Sequence, residues 1–143
     1  LPLTLFPYTT LFRSLKKDFP DLEIIINGGI KSIEECHNHL SKVDGVMLGR
    51  SAYENPFILK NVESEIFGLE PQDISKKEIL NQYLDYVERK LSEGHDLGRM
   101  MKHLFGLSRG DKYAKSFRIK ILEVIKKNSL VDHKKDLEDL LVY

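Results

Sequence analysis

The chain has 143 residues, 41% hydrophobic and 31% charged, and its 22 basic and 22 acidic side chains give a formal net charge of zero. That balance suits one or two small globular units, excludes a disordered tail or a fibrous repeat, and names no partner by global charge. One cysteine excludes a disulfide framework and suits a reducing compartment; no apolar run approaches the ~20 residues that span a bilayer, so a cytoplasmic protein is expected.

Residues 1–14 stand apart. They hold no acidic residue, one basic residue and two prolines, and Pro2 and Pro7 break any helix or central strand. No basic segment precedes the apolar stretch, which argues against a secretory signal. The run from Pro7 to Ser14 resembles translated adapter sequence, and 1–14 is read as a non-native leader.

Residues 15–60 read as strand, helix, strand and the start of another helix. Ile24-Ile25-Ile26 is a β-branched run without alternation, as expected of a strand buried on both faces. It ends in Asn27-Gly28-Gly29-Ile30. Ser32-Ile33-Glu34-Glu35 has the capping-box pattern of a helix start. Ile33, Cys36, His37 and Leu40 then fall toward one side. Val43 to Leu48 is the second strand, ending in Gly49-Arg50. The interval leaves room for one crossover helix, so the two strands are expected to be parallel. Asn55-Pro56 is a break point in the short helical segment that follows.

Residues 61–74 are a polar connection with Gly68 and Pro71, read as a linker between domains. From residue 75 to 143 the period is helical. Ser75-Lys76-Lys77-Glu78 is a second capping box, and Ile79, Leu80, Tyr83, Leu84, Val87 and Leu91 mark one amphipathic face. Gly94 is a helix stop. Leu97, Met100, Met101 and Leu104 mark a second helix that frays around 106–110. A third starts near Asp111 and carries Tyr113, Ala114, Phe117, Ile121, Val124 and Ile125. A short fourth lies near 134–141. The pattern is that of a small antiparallel helical bundle.

Charge is uneven. Residues 61–94 hold eight acidic and four basic side chains, whereas 95–127 hold nine basic and three acidic. The local excess of six positives suits a polyphosphate backbone.

The chemistry concentrates at the two glycine turns, 21 residues apart. Each follows a buried strand and leads into a helix. Glycine lets an anion approach the backbone where a Cβ would stand, and the positive end of a helix favours it. Arg50 adds a guanidinium fork, and Asn27 a hydrogen-bonding side chain at the strand end. Two consecutive cradles of this kind are what the last two βα units of a TIM (β/α)8 barrel offer a phosphorylated ligand. A whole barrel needs about 250 residues, so a barrel reading makes the chain a fragment. Cys36, mid-helix and away from the strand ends, reads as an apolar filler. His37 and His39 lack the spacing of a zinc site, and no metal is expected. His95, His103 and His133 read as solvated. Lys115 and Arg118 lie three apart and share a helix face, with Arg109 ahead of them in a glycine-containing turn; such long basic side chains suit phosphate contacts. Phe117, between them, reads as core.

Residues 15–143 resemble the C-terminal part of a tRNA-dihydrouridine synthase of the A subfamily, bacterial in type. The residues that carry the resemblance are Asp18-Phe19-Pro20, the strand ending Ile26 to Ile30, and the run from Asp44 to Pro56. Later come Arg99 to Leu107 and Ala114-Lys115-Ser116-Phe117-Arg118. The resemblance implies an α/β part, the last two βα units of an FMN-binding TIM barrel, followed by an all-α, helical tRNA-binding domain. It puts Asn27, Gly28, Gly29, Gly49 and Arg50 at FMN-contacting positions, and Lys115 and Arg118 at tRNA-contacting positions. Lysine stands at the first of these where arginine is expected, which keeps the charge and loses the fork.

The implied reaction reduces the uracil C5–C6 double bond in the tRNA D-loop. Hydride comes from reduced FMN, a proton from a cysteine, and the electrons from NADPH. The acid cysteine belongs to the earlier barrel portion, and Cys36 matches no catalytic position. The chain is thus expected to be an inactive fragment of a monomeric enzyme, binding FMN very weakly. Two alternatives stand beside this reading: a stand-alone helical RNA-binding module, and another FMN- or phosphate-binding barrel acting on a small metabolite.

Overall fold

The computed structural model describes residues 14–71, 73–131 and 133–141. The leader expected at 1–14 lies almost wholly outside them. Residues 14–18 are helical, and Lys16 ties them to the first strand: its Nζ lies 2.8 Å from Asp44 Oδ2, which also accepts from Ile24 N–H at 2.9 Å. The Lys16 hydrogen bond and the Ile24 amide hold the Asp44 carboxyl below the usual carboxylate range.

β1 (Ile25–Asn27) and β2 (Gly45–Met47) form a two-stranded parallel sheet in which Ile26 pairs with Val46. α1 (Ile33–Leu40) makes the crossover. It starts at Ser32, whose Oγ accepts from Glu35 N–H at 3.2 Å. The box is only half formed, because the Glu35 carboxylate accepts instead from Lys31 N–H at 2.6 Å. Ile33 and Cys36 turn inward, and Cys36 joins Ile26, Ile30 and Val43 in a small core. His37 is exposed: at ~100° per residue it lies beyond the stripe that Ile33, Cys36 and Leu40 define.

The expectation that the first strand is buried on both faces is corrected. Ile26 is 4% exposed but Ile25 is 59% exposed, and Met47 on the neighbouring strand 52%. Successive strand side chains point to opposite faces, and among the described residues the core covers only the face that holds Ile26.

α2 (Arg50–Glu54) follows β2, with Gly49 as its N-cap. Asn55 is the break, and a 3-10 helix (Pro56–Asn61) and α3 (Val62–Glu65) complete the segment. Residues 68–71 and 73–75 carry no regular structure.

α4 (Lys76–Ser92) has a complete capping box: Glu78 N–H donates to Ser75 Oγ at 3.1 Å, and Ser75 N–H to Glu78 Oε2 at 2.8 Å. It ends before Gly94, whose φ of +87° is a left-handed stop. α5 (Leu97–Met101) passes directly into a second 3-10 helix (Lys102–Gly106), and residues 107–110, in the stretch where fraying is expected, are turn. α6 (Ala114–Lys127) starts three residues later than the sequence suggests and ends at Asn128, φ +50°. α7 (Lys134–Asp139) is short.

These four helices share one core. Leu80, Leu84 and Val87 of α4 meet Leu97 and Met101 of α5, Phe117, Ile121 and Val124 of α6, and Leu137 of α7. Phe117 is fully buried, as expected of a core ring. Tyr83 Oη donates to the Met100 carbonyl at 2.9 Å, and Lys120 Nζ lies 2.6 Å from Asp136 Oδ2. His133 is 7% exposed, not solvated, because Leu130, Leu137 and Leu141 close the core on either side of it.

The chain's two ends of the fold meet around α2. The Tyr53 ring packs edge-on against His103, centroids 5.7 Å apart. The ammonium of Lys76 lies 5.3 Å from the Phe57 ring centroid. No described helix is long and apolar enough to cross a membrane.

Candidate functional site

Both glycine turns open into one cleft of about 460 Å³ at the ends of β1 and β2 that lead into α1 and α2. Asn27, Gly28, Gly29, Gly49 and Arg50 all line it. The two loops are joined directly: Ser51 Oγ donates to the Ile30 carbonyl at 2.7 Å. Residues that sequence spacing could only pair by analogy are thus neighbours in space.

The glycines serve two purposes. Gly28 and Gly29 have φ of +126° and +74°, a left-handed backbone that L side chains rarely adopt. Gly49 has φ −79°, so conformation does not demand glycine there. A Cβ built on any of the three meets no protein atom within 4 Å. The space before them is open to a ligand.

The cleft's charge comes from side chains more than from a helix. α2 has five residues, too few for a large macrodipole, although its first N–H groups lack intrahelical acceptors. Lys31, Arg50 and Arg109 line the cleft with Glu54 as their one acidic neighbour there. Arg50 is exposed and forms no ion pair among the described residues. The set fits a phosphate monoester: an open, glycine-floored concavity with guanidinium forks at its edge.

Arg109 was missed as part of this site. Its glycine-containing turn was legible, but local sequence groups it with Lys115 and Arg118. The structure sends it to the cleft, where Nη1 lies 2.7 Å from Glu54 Oε2. Lys31, Ser51 and Asn55 were also missed; Ser51 and Asn55 fall within a recognisable run, but nothing local says that they face the glycine turn.

Lys115 and Arg118 lie on the first turns of α6, both exposed. Arg118 Nε donates to the Phe105 carbonyl at 3.2 Å, which orients its guanidinium beside the second 3-10 helix. Among the described residues neither side chain forms an ion pair with a carboxylate, and the same holds for Arg99, Lys102, Lys112, Lys126 and Lys127. Lys120, by contrast, is neutralised by Asp136 and Glu123.

Cys36 is 1% exposed, and burial, helped by Glu35, pushes its thiol above the usual value. It is a packing residue, remote in kind from a catalytic thiolate. Among the described residues no group of three or more His, Cys, Asp or Glu side chains is arranged to hold a metal ion.

Comparison with known proteins gives the family. The dihydrouridine synthase (Dus) family model matches residues 10–141. The chain is 48% identical over 104 residues to a tRNA-dihydrouridine(20/20a) synthase of Pseudomonas aeruginosa, covering 73% of this chain and 31% of that protein. It is 44% identical over 109 residues to the enzyme of the same name from Vibrio cholerae, covering 76% of this chain and 33% of that protein. It is 47% identical over 104 residues to the one from Escherichia coli K12, covering 73% and 30%. The chain thus spans about a third of the length of the relatives it matches. Over nearly its whole described length, glycine cleft and basic helices included, the chain belongs to the dihydrouridine synthase family.

Proposed function

We propose that the chain is the phosphate-gripping and RNA-holding part of an FMN-dependent tRNA-dihydrouridine synthase. In this reading β1, α1, β2 and α2 are the last two βα units of a TIM barrel, and α4 to α7 form a helical tRNA-binding domain. The observation that carries it is the convergence of Gly28-Gly29 and Gly49-Arg50 on one cleft.

When bound, FMN supplies two-electron reduction of a uracil C5–C6 double bond in the tRNA, with NADPH as the source of electrons. The residues of this chain bind and orient. Gly28, Gly29 and Gly49 admit the phosphate to the backbone, Arg50 neutralises it, and Asn27 offers its amide at the strand end. Ser51 holds the two loops together. Lys115 and Arg118, unpaired by carboxylates among the described residues, engage RNA phosphates, and lysine does so as a point charge. The proposed cytoplasmic location follows from tRNA as the substrate. Catalytic proton transfer is assigned to residues outside this chain, since Cys36 is buried in the small core and does not line the cleft.

The test compares FMN with riboflavin, which differ only in the phosphate, by fluorescence titration of this chain and of Arg50→Ala. FMN should bind more tightly than riboflavin, weakly in absolute terms, and the Arg50→Ala change should erase the difference. Equal binding of both flavins by the unaltered chain refutes the cleft's role. For the helices, tRNA binding should weaken with salt, and Lys115→Ala with Arg118→Ala should lower the log–log salt slope by about 2.

A further inference from the structure

Arg109 belongs to no part of the function as described so far. It is carried by the helical part of the chain, yet it lines the cleft formed by the glycine turns. We propose that Arg109 is a second guanidinium ligand for the anion of that cleft, held by Glu54 until a phosphate displaces the carboxylate. The inference rests on the phosphate reading of the cleft and adds to it a residue from beyond the barrel segment.

The charges in the cleft support it. Lys31, Arg50 and Arg109 against Glu54 leave a net charge of +2 among the charged lining residues. A phosphate monoester carries about −1.5 to −2 at neutral pH, so the full cationic set matches it when Arg109 is counted.

The Glu54–Arg109 pair is also easy to exchange. It rests on one contact of 2.7 Å, and the two side chains are 52% and 56% exposed. Exposed ion pairs of this kind contribute little, whereas phosphate offers a guanidinium two parallel hydrogen bonds.

The turn that presents Arg109 is firmly placed. Lys76 Nζ donates to the Arg109 carbonyl at 3.4 Å and to Asp111 Oδ1 at 2.6 Å, and the Lys76 and Asp111 side chains are only 13% and 14% exposed. Gly106 sits against the Tyr53 and Glu54 carbonyls, so the same turn is fixed to the end of α2 that carries Glu54. Only the Arg109 side chain has to swing. Glu54 would then compete with the anion, and occupancy of the cleft would be felt by a residue that leads into the basic helix α6.

The experiment titrates inorganic phosphate into the 15N-labelled chain and its variants, following the amides of Gly28, Gly29 and Arg50. Arg109→Ala should weaken phosphate binding about tenfold, as loss of a charge-assisted ligand does. Arg109→Lys should fall between the two, keeping charge without the fork. Glu54→Gln should tighten binding about threefold by freeing Arg109 from an exposed ion pair. That gain should vanish in the double variant Glu54→Gln, Arg109→Ala, measured against Arg109→Ala alone.

A gain that persists in the double variant means that Glu54 acts by simple charge repulsion, and overturns the inference. So does an Arg109→Ala chain that keeps wild-type affinity while Arg50→Ala loses it; the phosphate reading then stands without Arg109. If phosphate moves none of the three amides in the unaltered chain, the reading and the inference fall together. Far-UV circular dichroism of each variant confirms that its helices are retained.

Discussion

Gly106 lies so close beneath the carbonyl oxygen of Tyr53 that a Cβ on it would stand 2.6 Å away, and 2.8 Å from the Glu54 carbonyl oxygen. Both obstacles are backbone, so neither can rotate aside. Gly106→Ala should therefore force α2 away from the second 3-10 helix. Overpacking of this kind costs about 1–3 kcal/mol. Urea unfolding of the variant should show a lower midpoint, and the Tyr53–His103 edge contact, 5.7 Å between centroids, should loosen with it. An unchanged midpoint would mean that the two segments do not meet as described.

Cys36 gives a direct probe of the small core. It is 1% exposed among Ile26, Ile30 and Val43, and burial raises its thiol above the ordinary value. The native chain should react with a disulfide reagent at neutral pH far more slowly than a free thiol, and denatured chain should yield its full equivalent at once. Prompt reaction in the native state would show that α1 is not seated on the sheet.

The contact between α6 and α7 should depend on pH at both ends of the scale. Lys120, hydrogen-bonded to Asp136 at 2.6 Å, holds that carboxyl below its ordinary 3.8, and the same bond lifts Lys120 above its ordinary 10.5. The lowered carboxyl contributes stability that is present above its unfolded value and lost as pH falls through the folded one. The raised ammonium contributes stability that is present below its unfolded value and lost as pH rises through the folded one. Asp136→Asn should be less stable than the unaltered chain near neutrality, by a small margin because the Asp136 side chain is half exposed. The difference should disappear in acid, as pH falls from 3.8 through the lowered folded value of Asp136. Parallel urea midpoints across the pH range would contradict this.

Local chemistry wrote much of this fold plainly. Ser75 and Glu78 announce the start of α4, and Leu80, Leu84 and Val87 mark its buried face, because caps and periodicity act over a few residues. Asn27 to Ile30 and Leu48 to Arg50 announce the two turns for the same reason. The pairing of those turns in one cleft is a long-range fact, and the sequence supports it only through the single crossover between them and the analogy to the last two βα units of a barrel.

What depends on tertiary neighbours was not legible. Nothing around Gly106 says that its missing Cβ serves Tyr53, 53 residues earlier. Nothing around Arg109 says that it faces Glu54 rather than the surface of Lys115. Ile25 looks like its neighbour Ile26, yet the first is exposed and the second buried, because the isoleucine run hides which face a core will cover. The Lys31 amide that claims Glu35 is likewise invisible in the Ser-x-x-Glu pattern, which promises two hydrogen bonds at Ser32 where only one forms.

The hydroxyl of Ser51, donating to the Ile30 carbonyl at 2.7 Å, has a thermodynamic consequence. Two segments far apart in the chain are already stapled before any ligand arrives. A guest entering between them need not spend its own affinity in gathering mobile backbone, so each contact it makes counts more fully toward retention. Cutting that one staple, by Ser51→Ala, would leave Gly28, Gly29, Gly49, Arg50 and Arg109 unaltered and still loosen the grip, because the two loops would no longer be tied together.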